Sequence, residues 1–162
     1  MPAFLKYISI VFMFSFLFHL GWEWMQCQPY FIHAQSKPNL FSMIIATLGD
    51  VLLTFIIFGL SAVVSQNEKL RSDKFILKIL ILIELFSLVL SVAIERYALS
   101  KNRWIYTDAN PIIPLLGVSI LPVLQLMLLS PLIYILSSLL SKHFISERKF
   151  RNFFQNLQSD DT

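Results

Sequence analysis

The sequence predicts an all-α protein, a four-helix transmembrane bundle with both termini cytoplasmic. Three observations predict it. Of 162 residues, 56% are hydrophobic and only 14% are charged, whereas a soluble domain typically carries about 25% charged residues. Four apolar runs, at 5–26, 41–65, 75–99 and 112–140, each reach the ~20 residues a helix needs to cross ~30 Å of hydrocarbon. The bases fall in short clusters between those runs, as membrane topology requires. That placement also sets aside nucleic acid as a partner, despite a net charge of +3 and a pI of about 9.1.

The first run ends in Trp22-Glu23-Trp24-Met25-Gln26. It is too long for a secretory signal and has no small-residue cleavage site, so it reads as a retained helix. The second run contains Asp50, which costs up to ~3 kcal/mol at a helix centre. Fourteen Ile, Leu, Val and Phe residues lie between Phe41 and Val64. At ~0.3–0.6 kcal/mol each they outweigh the acid. The third run carries Glu84 against fourteen such residues between Ile76 and Ile94. The fourth holds Pro111 and Pro114, which suit a helix start, and Pro122, which predicts a kink. Residues 142–162 form a basic and aromatic tail whose Phe spacing suits a short helix lying on lipid, and whose charge equally suits an ordinary stop-transfer flank.

An even number of spans puts both termini on one side. That side receives nine basic residues, from Lys6 to Arg151. The other receives four: Lys37, Arg96, Lys101 and Arg103. The positive-inside rule makes the richer side cytoplasmic. Most intramembrane polar groups then fall in the outer half. His19 and Glu23, four apart, share a helix face. Asp50 lies ~14 Å below the outer end of span 2, at 1.5 Å per residue. Thr47 and Thr54 flank it, and Glu84, Ser87, Ser91 and Glu95 draw a stripe along span 3.

Buried ionisable groups in lipid face the bundle interior or a wet cavity. The sequence therefore predicts one polar pocket open to the outer side. His19, Glu23, Asp50 and Glu95 are its candidate catalytic residues. Trp22, Gln26, Arg103, Trp104, Tyr106, Asn110 and Gln125 are its candidate substrate-binding residues. The competing reading is that these groups only pair, for example Glu95 with Arg103, and hold the helices together. The single cysteine, Cys27, cannot form an internal disulfide. No metal or cofactor is assigned: His19 and Glu23 have the spacing of a ligand pair, and Asp50 or Glu95 is available as a third ligand, but two ligands without a recognised pattern do not define a metal site.

The chain resembles a group of small bacterial four-span inner-membrane proteins. The resemblance runs through Trp22-Glu23 with Gln28-Pro29-Tyr30, Gly49-Asp50, Glu95-Arg96, and Arg103-Trp104-Ile105-Tyr106. It continues through Pro111, Pro114, Gly117, Pro122 and Gln125, and covers about Gly21 to Pro131. It implies a bacterial inner membrane. A weaker similarity joins the chain to short lycopene cyclase subunits and emopamil-binding-type isomerases. Neither diagnostic motif is present, so no catalytic role is carried over. Three functions compete: an enzyme acting on a lipid or isoprenoid; a subunit of a membrane complex, or a homo-oligomer; and a proton or ion path through Asp50, Glu84 and Glu95. An acid kept neutral in an apolar site can protonate an alkene, and aromatic faces can stabilise the resulting cation.

Overall fold

A computed structural model describes residues 3–33, 39–65 and 72–142. The tail beyond 142, with the interfacial helix expected there, lies outside the described residues, as do Lys37, Lys69 and Arg71. Four helices dominate the chain: α1 (Ala3–Tyr30), α2 (Leu40–Ser65), α3 (Ser72–Ser100) and α4 (Ile120–Lys142). Each is long and apolar enough to cross a membrane. α1 and α3 pack on both α2 and α4, so the four close into a ring.

The partition of side chains inverts that of a soluble protein. Large apolar residues such as Leu17, Leu52, Val89 and Leu139 are exposed. Polar ones, including His19, Glu23, Thr54, Ser91, Glu95 and Gln125, are buried. In hydrocarbon this is the favourable arrangement, because leaving polar groups to face lipid is costly.

Two short pairings cap one end of the bundle. β1 (Phe31–His33) follows α1 and pairs antiparallel with β2 (Trp104–Tyr106), Phe31 opposite Tyr106. β3 (Ile112–Ile113) and β4 (Val118–Ser119) form a hairpin before α4, Ile112 opposite Ser119. Local chemistry fixes the helix ends that meet here. Asn39 caps α2: its Oδ1 accepts the Ser42 N–H at 2.8 Å, and Ser42 Oγ accepts the Asn39 N–H at 3.0 Å, a reciprocal N-terminal cap. α3 ends in a Schellman motif. The Arg103 N–H reaches the Ala98 carbonyl at 3.0 Å, and the Asn102 N–H reaches Leu99 at 3.0 Å. Asn102 takes the left-handed conformation this needs, at φ 50°. The last carbonyls of α1 are met by the cap. Thr107 Oγ1 donates to Pro29 O, and Asn110 Nδ2 to Tyr30 O.

The fourth helix differs from its sequence reading. Residues 112–119, read there as the start of a helix running from 112 to 140, form the β3–β4 hairpin instead, and α4 begins at Ile120. Pro111 and Pro114 each disfavour helical backbone in the residue before them. Gly117 turns the chain at φ 64°, and Ser119 Oγ caps the new start by accepting the Leu121 N–H at 3.2 Å. Pro122 consequently lies in the first turn of α4. An N–H there would have no partner inside the helix, so its absence frees no mid-helix carbonyl. The expected kink at Pro122 loses its cause.

Away from the cap the interior holds apolar clusters interspersed with buried serines. Ile57, Ile79, Ile83 and Leu126 form one cluster, and Val11, Leu129 and Ile133 another. Phe58 packs on both, which joins them into a layer across the bundle. Buried Ser15, Ser87, Ser130 and Ser137 add small side chains of the kind that let membrane helices approach closely.

Candidate functional site: a buried carboxyl and amide cluster

Three helices bring the intramembrane polar groups together near the cap. Counting from the capped ends at 1.5 Å per residue, Gln125 lies about 7 Å down α4, and Asp50 about 15 Å down α2. His19 and Glu23 enter from α1.

Gln125 is the hub. Its amide nitrogen donates to Asp50 Oδ2 at 2.8 Å and to His19 Nδ1 at 3.0 Å, and its Oε1 accepts from Gln26 Nε2 at 2.9 Å. A ring that accepts at Nδ1 carries its proton on Nε2 when neutral. His19 Nε2 then donates to Thr54 Oγ1 at 3.0 Å, and that hydroxyl donates to the Asp50 carbonyl at 2.9 Å. Gln26 Nε2 also donates to Glu23 Oε1 at 2.7 Å, while its own oxygen accepts the Trp22 indole N–H at 2.8 Å. Cys27 Sγ donates to the other oxygen of Glu23 at 2.8 Å. Each of the four amide hydrogens on Gln26 and Gln125 has an acceptor, which fixes one orientation for both side chains.

The carboxyls of Glu23 and Asp50 come within hydrogen-bonding reach of each other. Two carboxyls can share such a bond only if one carries a proton. No Lys or Arg among the described residues forms an ion pair with either. The contact nearest to one is His19 Nδ1 to Asp50 Oδ2 at 4.0 Å. The Asp50 side chain keeps 20% of its surface exposed.

Glu95 sits at the edge of this cluster, within electrostatic reach of Glu23. It lies about 7 Å below the end of α3 and is held from above by β2. Trp104 and Tyr106, two apart on the strand, point the same way. The Trp104 indole donates to Glu95 Oε1 at 3.1 Å, and the Tyr106 hydroxyl donates to the same oxygen at 2.5 Å. The Ser119 N–H donates to the Tyr106 hydroxyl at 2.9 Å, and Phe31 packs edge-on against both rings. Burial, together with the bond to Glu95, pushes the Tyr106 phenol above its ordinary value.

No known protein family, curated protein or solved structure matches the chain. The chemistry of the site itself is what points to a function.

Of the residues singled out in the sequence, His19, Trp22, Glu23, Gln26, Asp50 and Gln125 converge in one network, and Glu95, Trp104 and Tyr106 adjoin it. Two lie apart. Arg103 is exposed, its guanidinium 5.6 Å from the centre of the Tyr97 ring. Asn110 is spent on the end of α1. The expected stripe on α3 also shifts. Ser87, Ser91 and Glu95 are buried, but Glu84 is a residue off that line and only half-buried, with Oε2 enclosed and unpartnered. Three members of the site were not among the candidate residues, although Thr54 was placed beside Asp50. Cys27 had a usable signal, its i, i+4 spacing from Glu23. Thr54 had the same spacing from Asp50. Ser119 had none, because its place depends on the hairpin.

Proposed function

We propose that this is a multi-pass enzyme of the bacterial inner membrane that acts on a lipid or isoprenoid, using the Glu23–Asp50 carboxyl pair as its proton donor. The capped end is the external side, and both termini are cytoplasmic. One observation carries the reading: two carboxyls from different helices meet inside the bundle with amides and one imidazole around them, and no Lys or Arg among the described residues paired to either. A pair that only braced helices would be poorly chosen. Interhelical polar bonds average ~0.6 kcal/mol, against ~2.5–3.5 kcal/mol for one charge at a helix centre. A carboxyl pair with no Lys or Arg partner among the described residues instead keeps a transferable proton.

The Asp50 side chain keeps a fifth of its surface open, which supports access to it from outside the bundle. A pocket there would admit an apolar chain bearing a double bond. The proton leaves the Asp50 hydroxyl for one alkene carbon, and the neighbouring carbon becomes cationic. Trp22, Trp104 and Tyr106 offer aromatic faces to that charge. Loss of a proton from an adjacent carbon to the pair restores it, so the net change is a shift of the double bond or ring closure and needs no co-reactant.

The test is lipid profiling of a deletion strain complemented with wild type, Glu23→Gln, Asp50→Asn or Glu95→Gln. A changed lipid or isoprenoid species restored only by wild type supports the reading. Identical profiles in every strain sink it.

A second reading, a non-catalytic subunit or homo-oligomer, is favoured by Glu84 alone. It stands near the middle of α3 with an enclosed carboxyl oxygen that has no hydrogen-bond partner among the described residues, a group that another membrane helix could satisfy. Crosslinking in native membranes through position 84 tests it, and a chain that stays monomeric there counts against it.

A further inference from the structure

The cap has two unlike edges. The turn after α3 exposes Lys101, Asn102 and Arg103 and belongs in water or among headgroups. The β3–β4 hairpin does not. Pro111, Ile112, Pro114 and Gly117 are exposed or half-buried there, and Leu115 at its tip is 96% exposed. No charged residue occurs from 109 to 141, so the hairpin continues the apolar surface of the α4 span.

Most of its backbone N–H groups, that of Leu115 excepted, are paired or absent. Groups placed in lipid need internal partners. Pro111 and Pro114 have no N–H to satisfy. The Leu116 and Gly117 N–H groups both turn back to the Ile113 carbonyl, at 3.1 and 2.9 Å, and the Ile120 N–H reaches the Pro111 carbonyl at 2.9 Å. At ~3.3 Å per residue the tip stays within about 10 Å of the hairpin's base, the depth of the interfacial zone. That base is buried at Val118 and Ser119.

We propose that the β3–β4 hairpin is a lipid-inserting loop, its Pro114–Leu115–Leu116–Gly117 tip seated among the acyl chains of the leaflet at the capped end. Through the Ser119 N–H on the Tyr106 hydroxyl, and that hydroxyl on Glu95, the loop ties the surrounding lipid mechanically to the edge of the carboxyl cluster. The inference stands apart from the proposed chemistry, because it rests on exposure and backbone pairing alone.

Collision measurements on spin-labelled protein in liposomes test it. Nitroxides are placed through Leu115→Cys, with Ile112→Cys as a second hairpin site and Asn102→Cys on the charged turn as an internal reference. The unsubstituted chain sets the background from buried Cys27. The label at 115 should be open to oxygen and about tenfold less open to a water-soluble nickel chelate than the label at 102. Chelate access at 115 equal to that at 102 places the tip in water and overturns the proposal. Low access to both probes places it against protein and overturns it equally. Collision rates do not depend on what the carboxyl cluster does to a lipid, so failure here and failure of the enzymatic reading remain distinguishable.

Discussion

Gln125 holds more of the cluster together than any acid does. Its side chain on α4 bonds at once to groups on α1 and α2. Gln125→Leu keeps most of the volume but strands Asp50 Oδ2, His19 Nδ1 and one hydrogen of Gln26. Leaving buried partners unmatched costs about 1–3 kcal/mol. Thermal unfolding in detergent should show a melting temperature several degrees lower, at about 2–4 °C per kcal/mol for a chain of this size. No change would mean the network closes without its hub. Tyr106 gives a prediction with a sign. Its folded-state pKa lies above the unfolded value, so the protonated phenol is favoured by folding. That stabilisation is complete below the unfolded value of ~10 and is lost as pH rises through the folded one. Wild type should lose stability above about pH 10 more steeply than Tyr106→Phe, read from melting temperature against pH. At this scale the sequence showed carboxyls and amides clearly, because a polar residue inside an apolar run stands out. It did not show that Arg103 and Asn110 lie apart from the cluster, since their positions follow from a Schellman turn and a strand pairing that no local pattern announces.

The helices divide by how their ends are set. The apolar runs read at 41–65 and 75–99 lie inside α2 and α3 (Leu40–Ser65 and Ser72–Ser100), because their length and composition change sharply at the boundaries. α4 is the exception, for a physical reason. Hydropathy is blind to whether Ile112, Leu115 and Val118 are wound into a helix or folded as a hairpin. The deciding signals were three prolines, a glycine and a capping serine. Two substitutions separate the alternatives. Pro122→Ala should change stability by no more than about 0.5 kcal/mol, since the proline sits in the first turn. Were it a mid-helix kink, restoring the lost bond would stabilise by ~3 kcal/mol. Ser119→Ala should cost about 1 kcal/mol as the lost helix cap, while leaving its backbone N–H on Tyr106. Chemical denaturation of the pair of variants gives both values.

The bundle as a whole is one-sided. Carboxyls, amides and the imidazole gather toward the cap, and the joined layer of Val11, Ile57, Ile79, Ile83, Leu126, Leu129 and Ile133 closes the interior beyond them. Asp50 and the layer residue Ile57 are seven residues apart, about 10 Å along α2. Glu84, the acid a continuous relay would need, has an enclosed oxygen with no hydrogen bond to the cluster. The buried serines form no connected chain in its place: Ser61 and Ser65 turn their hydroxyls back on their own helix, and the hydroxyls of Ser15, Ser87, Ser130 and Ser137 have no hydrogen-bond partner among the described residues. A proton path requires polar or hydrated groups through the full depth, so the geometry argues for a site addressed from one end. Purified protein in liposomes should pass protons no faster than empty liposomes under an imposed pH gradient, as read by an internal pH dye. Ile57→Ser combined with Ile133→Ser, which opens the layer without touching the cluster, should raise the leak measurably. Proton flux through the unsubstituted protein would transfer the carboxyls from chemistry on a lipid to transport, because a closed apolar layer and a conducting bundle are incompatible.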